Sequence, residues 1–209
     1  MPDARPAALP PGERTVGQVV AESIRFYGAH FWAVLPLGLA LAATDQASVK
    51  EPLVIQAIIY WLATPLFVGG YLWACHVVLD VRVTRAAVVV AIWTWLPFPL
   101  LRAFFVLPAI AWLAFAGLAV PAAMVEGLGV RAALARGRQL GLADYVHALG
   151  SLATLVILVG LASNTLSVLL HTQGSNSARV ALGLADIVLS PLLFVGGALL
   201  YRDQAARVK

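Results

Sequence analysis

The sequence predicts an all-α integral membrane protein of about six transmembrane helices, with an N-terminal amphipathic interfacial helix and a basic cytoplasmic elbow helix before the fifth span. Three observations predict it. Of 209 residues, 61% are hydrophobic and only 11% charged, whereas charged residues make up about a quarter of a soluble domain. The mean hydropathy is correspondingly high, +0.89. The apolar residues also fall in runs of the length that a hydrocarbon core of about 30 Å requires, about 20 residues each. Nothing is left over for a large soluble domain, so residues 15–209 read as a single polytopic membrane domain. Residues 1–14, "MPDARPAALPPGER", read as a disordered cytoplasmic tail. No apolar run followed by a small-residue cleavage site opens the chain, so the first span is expected to act as the targeting signal.

The elements follow in order. Thr15 with Gln18 three residues on forms a capping box, which satisfies two otherwise orphan amides and predicts a helix start. Val16, Val19, Val20, Ile24, Tyr27 and Phe31 then follow helical spacing, with Gln18, Glu22 and Arg25 on the other side, the pattern of a helix lying along a membrane surface. It leads into a first span over 31–47, ended by "TDQASVKEP". The second span, 52–79, opens on Pro52, where a missing amide costs nothing. Residues 86–125 are too long for one crossing, and "LPFPLLR" divides them into a hairpin of two spans around Pro97, Pro99 and Arg102. The shorter arm, 86–101, either just crosses or is re-entrant. A fifth span covers 146–170, "HTQGSNSAR" makes a polar turn, and a sixth span covers 180–201. Prolines within the spans are tolerated in membrane bundles.

Charge gives the orientation, because cytoplasmic flanks hold the excess of Lys and Arg. Six spans put Arg5, Arg14, Arg25, Arg82, Arg85, Arg131, Arg136, Arg138, Arg202, Arg207 and Lys209 on one side and leave only Lys50, Arg102 and Arg179 on the other. Both termini are therefore expected to be cytoplasmic. Lys50 and Lys209 are the only lysines, a bias that suggests a GC-rich bacterial genome and hence a bacterial plasma (inner) membrane.

"FVGG" occurs at 67–70 and again at 194–197. Each copy lies in a span preceded by another span and a basic helix, with His30 and His147 at comparable positions. The pattern suggests two repeated units with a hairpin inserted between them. On that view or any other, Gly69, Gly70, Gly196 and Gly197 are expected to let helix backbones approach closely.

Two segments carry a family resemblance. "ERTVGQVVAESIRFYGAHFWAVLPLGL" resembles the opening of bacterial membrane domains associated with glycerophosphoryl diester phosphodiesterases, where a basic helix with an aromatic residue leads into the first span. "PAAMVEGLGVRAALARGRQL" resembles a later segment of that family, in which a span end of small residues is followed by a Glu, a Gly-containing turn and a basic helix. The chain departs from the family in "GLADYVHALG" and "YRDQAARVK". The resemblance implies a stand-alone membrane domain without the hydrolase domain fused to some relatives, and it implies no activity.

Candidate sites are few. Asp186 lies about seven residues into the sixth span and Asn164 six before the end of the fifth, so the two fall at similar depth, with Ser163, Thr165 and Ser167 near by. Two readings stand: a hydrogen bond that fixes the pairing of two helices, or a proton or cation site open to the outside. The basic elbow, Arg131, Arg136 and Arg138, is topogenic charge or an anionic-lipid contact, and Glu126 is available to pair with Arg131 or with Arg25. Trp32, Trp73, Trp93 and Trp95 are expected near interfaces, Trp61 and Trp112 in packing. Cys75 stands alone, so no disulfide forms within the chain. His30, His76, His147 and His171 have no metal-ligand spacing, and no phosphate loop, nucleophile elbow or paired-carboxylate motif occurs.

The reading is therefore of a non-catalytic membrane module, without cofactor or metal. It contacts lipid headgroups, anionic ones included, or a membrane protein partner or second copy, in a role such as membrane homeostasis; nucleic acid is not expected. The rival is a small transporter or channel component using Asp186 and Asn164. Polar groups converging between spans would separate the two.

Overall fold

Helix α1 (Val16–Ala29) starts where the capping box places it. Gln18 N–H donates to Thr15 Oγ1 at 3.4 Å, and the Thr15 N–H donates to Gln18 Oε1 at 2.9 Å. In the computed structural model, which describes residues 9–170 and 175–208, the chain then turns by 99° at His30. The first span is broken rather than continuous: α2 (Phe31–Val34), a 3₁₀ turn around Pro36 and α3 (Gly38–Ser48). Lys50, in the left-handed region at φ 66°, makes the corner. The second span is α4 (Leu53–Leu62) and α5 (Thr64–Leu79), bent by 49°. The bend falls just before Pro65, whose missing amide interrupts the ladder of the preceding turn.

The middle hairpin consists of α6 (Arg85–Trp95) and α7 (Phe98–Phe104), then α8 (Val106–Ala116) and α9 (Ala119–Val125). The disputed short arm, taken from Arg85 to Arg102, is long and apolar enough to cross. Gly127, at φ +64°, makes a left-handed turn into the elbow helix α10 (Val130–Ala143). The last elements are α11 (Tyr145–Leu170), α12 (Ser175–Leu189) and α13 (Pro191–Arg207). Four helices could cross a membrane, Arg85–Arg102, Val106–Val125, Tyr145–Leu166 and Arg179–Arg207, and six spans result if each bent pair counts as one. Among the described residues no strand occurs.

The boundaries differ from expectation at the last span. Its helix begins at Ser175, before the expected 180, and after a break at Ser190–Pro191 it runs on to Arg207. The turn at 171–174, including His171, and also Lys209 and residues 1–8 lie outside the described residues. Residues 9–14, expected within a disordered tail, instead fold back as a turn whose Gly12 N–H donates to Asp203 Oδ1 at 2.9 Å.

Helix α13 is the central post, buried from Pro191 through Tyr201 apart from Leu193. Helices α1, α5 and α11 pack around it, α12 lies on α11 and α3, and α9 lies between α6 and α10. The two "FVGG" segments meet there, with the Phe67 and Phe194 rings stacked at 6.5 Å. Large apolar side chains face outward instead: Trp32 is 81% and Val146 80% exposed. Such a surface is suited to lipid and would aggregate in water. Trp61 belongs to it, at 53% exposed, whereas Trp95, expected near an interface, is buried. A ring stacked on Phe67 and tilted on Phe98 does more for the core than for a headgroup layer.

Candidate functional site: a polar cavity among the helices

The helices leave a cavity of about 580 Å³ between α3–α8 and α11–α13. Its polar groups lie near the ends of spans. Asp45, in the last turn of α3, accepts a short hydrogen bond from the Tyr60 hydroxyl of α4, the helix after the Lys50 corner. The Arg102 guanidinium of α7 sits 5.6 Å from the centre of the Tyr60 ring, a cation–π contact. On the other wall Asp186 of α12, 6% exposed, accepts from Ser163 Oγ of α11 at 3.1 Å. Its helix holds it there with a further bond, from Ser190 Oγ to the Asp186 carbonyl at 2.6 Å.

The floor is aromatic. Phe67 stacks on Trp95 at 5.5 Å, Trp95 tilts against Phe98 at 5.0 Å and Phe194 at 6.0 Å, and Tyr71 meets Trp95 edge-on at 5.9 Å. Tyr71 is anchored through its hydroxyl to the Gly117 carbonyl, where α8 gives way to α9. The cavity is thus amphipathic, charged at one end and apolar at the other.

Asp186 is where the sequence leads one to look, but its partner is Ser163 and not Asn164. Asn164 lines the same cavity, yet its amide donates to the Gly160 carbonyl one turn back in its own helix at 2.7 Å. Neither Arg131 nor Arg25 pairs with Glu126. Arg136 does, through Nε to both carboxylate oxygens at 3.1 and 3.2 Å, while Arg25 pairs with Glu22 at 3.1 Å. The Tyr201 hydroxyl also donates to Glu126 at 3.0 Å, so the staple joins the elbow to α13 rather than to α1. Arg131 and Arg138 are exposed and make no ion pair among the described residues. Of the four glycines, Gly196 and Gly197 sit against Leu155 and Tyr71, Gly70 is in ordinary contact with Phe194, and Gly69 faces open space.

Sequence reasoning missed Asp45, Tyr60 and Arg102. It also missed a second polar cluster, at the end of the bundle where the termini meet. Asp203, fully buried, accepts from Arg207 Nε at 3.1 Å and lies 3.0 Å from His147 Nε2. Arg207 reaches Asp144 at 2.8 Å and the Arg14 carbonyl at 3.0 Å. The cluster clasps the N-terminal turn, the start of α11 and the end of α13.

The chain matches no family model, no curated protein and no solved structure. Among the described residues no group of three His, Cys, Asp or Glu is placed to hold a metal ion. The cavity offers binding groups: two carboxylates, a guanidinium, a phenol and a hydroxyl over an aromatic floor.

Proposed function

We propose that this protein is a small, non-catalytic transport or ligand-binding component of the bacterial plasma membrane, and that the cavity is its site. The supporting observation is the convergence of Asp45, Tyr60, Arg102, Ser163 and Asp186, from five helices, on one space. An acid within an apolar run, as Asp186 is, costs a few kcal/mol or more if stranded, and a scaffold would have no use for three charged side chains facing one void. On the orientation given by the basic residues, the termini and elbow are cytoplasmic and the charged end of the cavity faces outward. Helix α1 then lies in the cytoplasmic interface, consistent with its right-angle turn at His30. The contact between the two "FVGG" segments supports descent from a duplicated unit.

Thiol accessibility tests this reading. Cys75 is the only cysteine and is buried, so Cys75→Ala gives a thiol-free background. Asn164→Cys in that background, probed in intact cells and in inverted vesicles with a membrane-impermeant thiol reagent, is expected to react from the outside. A thiol there that reacts from neither side would mean a closed, dry cavity and would end the transport reading.

A second reading has its own observation: Arg131 and Arg138 on the elbow are exposed and make no ion pair among the described residues. Each basic residue near an anionic leaflet contributes about 1 kcal/mol, so the elbow also serves as a headgroup contact. Native mass spectrometry should show a retained anionic lipid that is lost when both arginines become Gln.

A further inference from the structure

The cavity's charge balance and size narrow the ligand. Its lining holds three charged side chains, Asp45, Asp186 and Arg102. Arg102 lies over the ring of Tyr60, whose hydroxyl donates to Asp45, so the guanidinium stands on the Asp45 side of the lining. One carboxylate is thus compensated within the protein. Among the described residues Asp186 has only the Ser163 hydroxyl as a side-chain hydrogen-bond partner. The wall is short of one positive charge.

Volume decides what kind of cation makes good the deficit. A space of about 580 Å³ falls within the roughly 300–1,000 Å³ of small-molecule sites and is far larger than an inorganic ion needs. Below the carboxylates the lining turns to Phe67, Tyr71, Trp95, Phe98 and Phe194, whose ring faces attract cations and bury apolar groups. Resting on the reading of this cavity as a ligand site, we propose that it takes an organic monocation with an apolar body, the charge lying toward Asp186 and the body against the Trp95 cluster.

Equilibrium binding to the full chain in lipid nanodiscs tests the proposal, with empty nanodiscs as background. Two permanent cations of different width serve as probes, radiolabelled tetraphenylphosphonium and benzyltrimethylammonium. Tetraphenylborate, nearly isosteric with the first but negative, and uncharged tetraphenylmethane are the controls. At least one cation should bind saturably while neither control competes. Asp186→Asn should raise its dissociation constant roughly tenfold or more, the scale of a lost hydrogen bond or contact to a charged group. Arg102→Gln should lower it, because removal of the competing cation frees both Asp45 and the Tyr60 ring. That gain of affinity cannot come from misfolding.

Saturable binding of neither cation overturns the proposal, as does preference for the borate. Equal binding of tetraphenylmethane, unchanged in Asp186→Asn, overturns it too and would mean a neutral carboxyl in the wall. In each of these cases an Asn164→Cys thiol that still reacts from outside leaves the cavity open and rejects the ligand class alone; an unreactive one rejects both.

Discussion

Asp203 shows what a buried charge requires here. It has the Gly12 amide, Arg207 and His147 around it, and Arg207 in turn holds Asp144. Removing the buried carboxylate leaves the partly buried Arg207 without one of its two acids, and breaking a fully buried pair costs about 3–5 kcal/mol. Asp203→Ala is therefore expected to destabilise the protein by roughly 3 kcal/mol, seen as a large drop in melting temperature in detergent; an unchanged melting temperature would mean that the cluster is solvated. The sequence discloses Asp186 because an acid inside an apolar run stands out. It conceals Asp45 and Arg102 because charges at span ends are ordinary, and only the approach of helices far apart in sequence makes them neighbours. It also mispairs Asn164. Matching depth is not enough, since adjacent helical residues point about 100° apart around the axis, and it is Ser163 that faces α12.

At the scale of elements, the closest backbone approaches occur where the sequence did not mark them. A Cβ on Gly38 would lie 2.0 Å from the Ile187 carbonyl oxygen, one on Gly137 2.4 Å from Ala119 Cβ, and one on Gly141 2.5 Å from the Phe115 carbonyl oxygen. Ala133, Gly137 and Gly141 form one stripe of α10, buried against α8 and α9, so the elbow is docked through small residues while Arg131 and Arg138 are exposed. Gly137→Val should destabilise by about 1–3 kcal/mol, the usual cost of overpacking. Gly69→Ala is the opposite case. Nothing lies within 4 Å of its Cβ position, and Ala favours a helix over Gly by up to about 1 kcal/mol, so that variant should be neutral or more stable. Denaturant midpoints of the two variants check both signs. That four to six helices are long and apolar enough to cross a membrane was legible from run length. The breaks at Pro36, Pro65 and Ser190 were not, because proline in a membrane helix signals tolerance without saying how far the chain will bend. Nor was the extension of α13 to Arg207, where charged residues find partners in the protein and keep the helix going beyond the apolar run.

At the scale of the molecule, hydrogen bonds bring Arg14, Asp144 and Arg207 to the end of the bundle away from Asp45, Arg102 and Asp186. Basic residues crowd the first end, so reporters fused to either terminus should both report the cytoplasm: bright green fluorescent protein and inactive alkaline phosphatase. Active phosphatase at either end would reverse or break the orientation and turn the cavity inward. The clasp also bears on how the chain is made. Helix α1 leaves the ribosome first, yet much of its bed is α13, and the Gly12–Asp203 bond joins residues 191 positions apart. Until α13 is made the first helix has only the α11 side of its seat. A product cut short before α13 would leave the α13 side of that helix uncovered, a mark by which a surveillance protease could tell the fragment from the longer chain.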